Sequence, residues 1–142
     1  MYRLYAKKER TMANTSSVSV QMKDILDRYG REAKKAIDAS AEETAGMCVQ
    51  QLKNNSPKRQ GKGGGAYARS WTVKKEGHGD VTDYIVHNSK HYQLTHLLEN
   101  GHVIRNKKGT YGRTHPIKHI EPVADAGIQR FELGVRARLK GL

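Results

Sequence analysis

In the stretch HLLENGH, residues 96–102, two histidines flank a glutamate, and Asn-Gly stands just before the second histidine. Such residues can hold a metal, exchange protons or fix a corner of the backbone, and their spacing separates the three. Two metal ligands on one helix must share a face, which needs a separation of three or four. His96 and Glu99 meet that condition, but His102 stands six positions from His96 and beyond the Asn-Gly break. His115 and His119 are four apart, yet His115 precedes Pro116, which turns its backbone away from the helical region. The sequence has no HExxH pattern. Cys48 is the only cysteine, so neither a cysteine zinc cluster nor an intramolecular disulfide can form. No metal or other cofactor is expected.

Acid/base chemistry fares no better. Hydrolytic carboxylate pairs must converge on one cleft, and Glu99 is the only acid between Asp83 and Glu121. Ser70 and Ser89 lack the context of a nucleophile elbow. GKGGG, residues 61–65, resembles a phosphate loop but lacks the GxxxxGK-Ser/Thr spacing, and it leads towards a strand. The residues therefore point to a non-enzyme. In the structural reading, His96, Glu99, Gly101 and His102 form a corner. Glu99 accepts from backbone N–H groups beyond its helix, or pairs with Arg113 or a neighbouring histidine. Gly101 allows the sharp turn, and the segment 102–118 is fixed relative to the sheet.

A corner needs elements on either side. Met22, Leu26, Tyr29, Ala33, Ile37, Thr44, Cys48 and Leu52 recur at helical spacing and predict a long helix over 22–54. Asn54, Asn55 and Pro57 end it. Gly30 and Gly46 weaken it by about 1 kcal/mol each relative to Ala without breaking it. At about 1.5 Å per residue it is long for a domain this small, so a kink or a protruding end is expected. Cys48, among Ala45, Val49 and Leu52, reads as a buried structural thiol. SSVSV, just before the helix, alternates like a short strand. Residues 1–21 read as a basic, aromatic N-terminal arm suited to nucleic acid or a neighbouring subunit. RSWTVKKE (69–76) and DVTDYIVHN (80–88) read as strands around an EGHGD turn. HYQLTHLLENG is a short helix with Leu94, Leu97 and Leu98 on one side and Gly101 as its left-handed stop. Residues 102–118 form a second Gly-containing connection, strand or loop. From about Pro122 a final helix carries Ala124, Ile128, Phe131, Val135 and Leu139. The order predicts an α+β fold: a long N-terminal helix, an antiparallel hairpin-based sheet, a short middle helix and a C-terminal helix. It forms one domain over 22–142.

The chain has 142 residues, of which 36% are hydrophobic, with one Trp and one Phe, so part of its apolar burial is expected between subunits. Lys and Arg number 26 against 14 Asp and Glu, a net charge of +12 that favours a polyanion or an acidic protein surface nearby. The cations gather in two stretches without an acid: Lys58, Arg59, Lys62 and Arg69, then Arg105, Lys107, Lys108 and Arg113. No apolar run is long enough for a membrane span or a signal peptide. A soluble chain made in a reducing cytoplasm is expected.

Three linked segments, NNSPKRQGKGGGAYARSW, YQLTHLLENGH and GTYGRTHPIKHIEPVADAG, resemble the small head–tail joining, or tail-completion, family of long-tailed bacteriophages. The resemblance covers roughly residues 22–135. Two departures are the GKGGG insertion in the first loop and Val123, where the family pattern has alanine after the proline. The resemblance implies a non-enzymatic virion protein, assembled in the host cytoplasm, that forms a homo-oligomeric ring at the neck or upper tail. The favoured count is six copies, matching sixfold tail symmetry. Its expected partners are neighbouring neck proteins and tail-terminator or tail-tube proteins, with nonspecific contact to DNA in the channel and no membrane. The two basic stretches would face either the ring lumen or an adjacent ring. The alternative is a basic nucleic-acid-binding protein acting free in the host cell, which would need aromatic side chains beside its cations; only Tyr67, Trp71 and Tyr111 lie near the basic stretches, and Trp71 reads as core.

Overall fold

A computed structural model describes the backbone of residues 2–142 and the side chains of residues 17–142. The fold is α+β, as expected. Helix α1 (Tyr2–Asn55) passes without interruption through Gly30 and Gly46. Its side chains from 17 to 31 are all exposed, so this half projects from the body of the protein. The expected short strand SSVSV is instead part of α1. Valine's β-branching costs a helix only a few tenths of a kcal/mol, roughly, so an advancing helix overrides the alternation. Of the arm expected over 1–21, the side chains of residues 1–16 lie outside the described residues.

After the glycine loop, one turn of helix α2 (Ala66–Arg69) precedes the first hairpin. Arg69 therefore belongs to α2 and does not open a strand. Strands β1 (Trp71–His78) and β2 (Val81–Asn88) pair antiparallel, from Trp71 opposite Asn88 to His78 opposite Val81. Their two-residue turn is Gly79-Asp80, with Gly79 at φ 62°. Helix α3 (Tyr92–Asn100) follows. The second basic connection then contains a hairpin of its own, β3 (Val103–Asn106) and β4 (Gly109–Arg113), with Lys107 and Lys108 at its tip. Every residue of both strands is exposed. Helix α4 (Glu121–Leu139) has Pro122 in its first turn.

The core gathers where these elements meet. Val49 and Leu52 from α1, Tyr67 from α2, Trp71 from β1 and Val123 from α4 are buried together, with Leu98 and Ile120 packed against them. Helix α4 runs antiparallel along α1. A Cβ added at Gly127 would lie 2.7 Å from Cys48 Sγ, and one at Gly134 would lie 3.3 Å from Ser40 Oγ. Seven residues apart, these glycines let the two helices approach closely. Arg130 and Arg138 then reach across to Glu43, at 2.9 and 2.7 Å.

This packing bears out part of each expected helix stripe, with Leu52 buried and Ala33, Thr44, Cys48, Phe131, Val135 and Leu139 half-buried, and corrects the rest. In α4 the buried residues are Val123 and Gly127, whereas Ala124 is exposed and Ile128 is 68% exposed. In α1 the buried residues are Ala36, Ser40, Ala45, Val49 and Leu52, while Met22, Leu26, Tyr29 and Ile37 face outward. The faces that the helices turn towards each other are built from small residues, which periodicity of large apolar residues does not register. Cys48 is half-buried, and its burial raises the thiol pKa.

Two substitutions of the same kind should therefore have opposite signs. No atom lies within 4 Å of the position a Cβ would take at Gly46. Gly46→Ala should stabilise the protein by about 0.5–1 kcal/mol through helix propensity. Gly127→Ala should destabilise it by about 1–2 kcal/mol through overpacking, and Cys48→Ala should relieve part of that loss. Denaturant unfolding of the three variants and the double variant measures all four terms.

Candidate functional site

Glu99, in the last turn of α3, is only 8% exposed. Its carboxylate accepts three backbone hydrogen bonds from the start of α4: His119 N at 2.9 Å, Ile120 N at 3.0 Å and Glu121 N at 2.9 Å. The first N–H groups of a helix have no partner within it, and they carry the positive end of its dipole. Glu99 satisfies them from a different helix. Burial by itself raises the Glu99 carboxyl pKa, but these hydrogen bonds, with the His119 ring, outweigh it and hold the group below its ordinary 4.5. The side chain is fully engaged as an acceptor and is poorly placed to give or take protons.

His119 extends the connection. Its Nδ1 lies 2.7 Å from Ile117 O and 3.1 Å from Glu99 Oε2, both acceptors, so Nδ1 carries a proton. In the neutral ring Nε2 then accepts from the Tyr67 hydroxyl, 2.8 Å away. Burial, and then the Glu99 charge, push the Tyr67 pKa up to about 12, keeping the hydroxyl protonated. The Tyr67 ring meets Trp71 edge-on at 5.8 Å. Trp71 Nε1 donates to Ser56 Oγ at 2.9 Å, just past the end of α1. On the other side, Asn88 Nδ2 donates to Tyr67 O at 2.9 Å, and Asn88 Oδ1 accepts from His91 N at 2.7 Å. One continuous set of polar and aromatic contacts therefore ties the end of α1, α2, the open end of the first hairpin at Trp71 and Asn88, α3 and α4. Ser56, Asn88 and the Tyr67–His119 pair escaped the sequence reading, because the contacts Ser56–Trp71, Asn88–Tyr67 and Tyr67–His119 span at least 15 positions.

The other corner residues have separate places. His96 is exposed on α3 while Glu99 is buried, and His115 is exposed while His119 is buried. His102 bonds with Thr114: its backbone N and its ring Nδ1 lie 2.9 and 3.0 Å from Thr114 Oγ1. Thr114 N donates to His102 O at 2.8 Å, closing the base of the second hairpin. Gly101 has φ 70° and ψ 164°, an extended conformation open only to glycine, and not the left-handed helical stop expected. The chain must turn there to lie against residues 114–116. A Cβ on Gly101 would sit 2.5 Å from Thr114 O. Arg113 is exposed on β4 and has no bond to Glu99.

The cations divide by stretch. Lys58, Arg59 and Arg69 line an open cup of about 400 Å³ with Lys53, around Gly61, Gly64 and Gly65. Arg69 Nη1 donates to Gly64 O at 3.1 Å, which holds the glycine loop over α2. Lys62 is exposed on that loop and does not line the cup. Arg105, Lys107, Lys108 and Arg113 are all exposed along the β3–β4 hairpin. None of these cations has an acidic partner among the described residues.

Two predictions follow from the corner. A carboxyl depressed in the folded state stabilises it above the ordinary pKa of 4.5, and that contribution is lost as pH falls through the lower folded value. Glu99→Gln should cost about 2–3 kcal/mol at neutral pH and should flatten the acid dependence of stability; urea titrations across the acid range measure both. Gly101→Val should cost about 2–4 kcal/mol from its positive φ and its clash with Thr114 O, read as loss of soluble, cooperatively unfolding protein.

Residues 21–101 match the family model HK97-gp10_like, described as "Bacteriophage HK97-gp10, putative tail-component". No curated protein matches the chain, and no solved structure matches it. The match runs from the projecting half of α1 through the glycine loop and the first hairpin to Gly101, and so takes in Glu99 itself. It covers more than half of the sequence, and the chain belongs to the HK97-gp10-like family of bacteriophage tail components.

Proposed function

We propose that this chain is a structural protein of the phage neck or upper tail, forming a closed ring that completes the tail and joins it to the DNA-filled head. Family membership carries the reading. Three physical features support it. The residues best suited to chemistry, Glu99 and His119, are committed to holding α4 in place. Large apolar side chains on α1 and α4 stand in water, as on a subunit whose burial is completed by neighbours. The two basic stretches present unpaired cations on the surface, suited to the ring lumen or to an acidic face of an adjacent ring. Six copies would match the sixfold tail. Neck, tail-terminator or tail-tube proteins are the neighbours this position implies, and DNA would be touched only nonspecifically as it passes.

A free nucleic-acid-binding protein fits less well. Of the aromatic residues near the cations, Tyr67 and Trp71 are buried in the core, leaving Tyr111 without a second platform beside it for stacked bases.

Neutralising Lys58, Arg59 and Lys62 together should leave the fold intact, because surface substitutions of this kind each cost within about 0.5 kcal/mol. It should nevertheless lower the yield of joined, infectious particles. Neutralising Arg105, Lys107 and Lys108 should do the same independently. Electron microscopy would then show filled heads beside separate tails. Normal particles from both triple variants would reduce the cations to an aid to solubility.

A further inference from the structure

Two apolar surfaces of the chain lack a partner within it, and they complement each other. The first is a ridge. On the projecting half of α1, Val18, Met22, Ile25 and Tyr29 recur at steps of four, three and four, which places them on one face. Met22 is 59% exposed and Ile25 is 55% exposed. Further along the helix, the same face continues through Ala36 to Ser40, where Arg138 and Gly134 of α4 cover it. The ridge is thus the uncovered continuation of an established helix–helix contact.

The second surface is a groove of about 490 Å³ between α1, β2 and α4. Cys48, Trp71, Tyr84, Val86, Ile128 and Phe131 are among its walls. It is open along one side and has room for the few side chains that one helical stripe presents. Charge matches as well. Arg28 stands three residues beyond Ile25 and has no ion pair among the described residues. Asp83 in the groove wall, and Asp125 three residues before Ile128 on α4, have none either.

We infer that the projecting half of α1 in one copy docks its Val18–Met22–Ile25–Tyr29 face into the groove between α1, β2 and α4 of the next copy. Ridge and groove are different surfaces, so the contact is head to tail, and it repeats around a ring wherever the rotation closes. Pairing of ridge with ridge would leave the apolar walls of the groove in water. The inference deepens the ring reading by naming its surfaces, and it rests on that reading only for closure.

Full-length protein carrying Met22→Asp and Ile25→Asp has a spoiled ridge and a sound groove; protein carrying Ile128→Asp has the reverse. All three side chains are more than half exposed in the single chain, so circular dichroism of both variants should match the parent. In sedimentation and light scattering, the parent should assemble with rising concentration. Each variant alone should need at least about tenfold more protein to do so. Mixed together, the two should form a one-to-one pair and nothing larger, because only one sound ridge and one sound groove remain. A mixture that stays monomeric overturns the inference, as does a parent that never associates. Parent assembly indifferent to either substitution also overturns it, while leaving the ring to be built through other surfaces. The ring reading falls separately if mass measurement of assembled particles finds a single copy.

Discussion

One buried carboxylate holds the architecture in register. Glu99 offers its two oxygens to three backbone N–H groups at the start of α4, so the last helix begins where the third one ends. Without it, the first turn of α4 would need water as its partner, and the core formed by Val123 and Ile120 would open. An unpaired carboxylate at such a site would be costly. Here the helix dipole and the hydrogen bonds compensate for the loss of water. His119 transmits the constraint to Tyr67, and Asn88 transmits it to the end of the first hairpin.

Much of this could be read from the sequence, where the signals are local. The end of α1 at Asn55, the hairpin around Gly79, α3 and the start of α4 beside Pro122 all follow from breakers, alternation and helix-start preferences. The acceptor role of Glu99 is legible from its place at the end of a short helix, before the Asn-Gly break. That its donors belong to residues 119–121 could not be inferred, since nothing local marks a contact across 20 positions. His119 was weighed beside His115 as a possible ligand pair, whereas its real partners are Tyr67 and a backbone carbonyl. Helix α2 is a single turn whose Arg69 side chain holds the preceding glycine loop, and its existence depends on the tertiary setting. The second hairpin was obscured by its cations, although Asn106 and Gly109 bracket a two-residue turn of an ordinary kind.

The helix stripes failed differently. Met22, Leu26, Ile37 and Ile128 of the expected stripes face outward, and the helices meet through Ser40, Cys48, Gly127 and Gly134, of which Cys48 alone belongs to an expected stripe. Close approach favours small residues, and these carry little hydrophobic signal. Several of the larger residues, such as Met22, Ile25 and Ile128, stay exposed in the single chain. Periodicity therefore marks apolar faces as faces, but not whether the chain itself covers them.

Helix α1 lives under two physical regimes. Near Val49 and Leu52 its hydrogen bonds break only when the core does, so their opening is governed by global unfolding. Between residues 17 and 31 every side chain is exposed, and the helix leans on intrinsic propensity and ion pairs such as Lys23–Asp27 at 2.7 Å. An isolated helical segment of that length is marginal in water. Amide-proton protection in the single chain must therefore decline from Ser40 towards Val18, as a helix–coil equilibrium replaces a cooperative one.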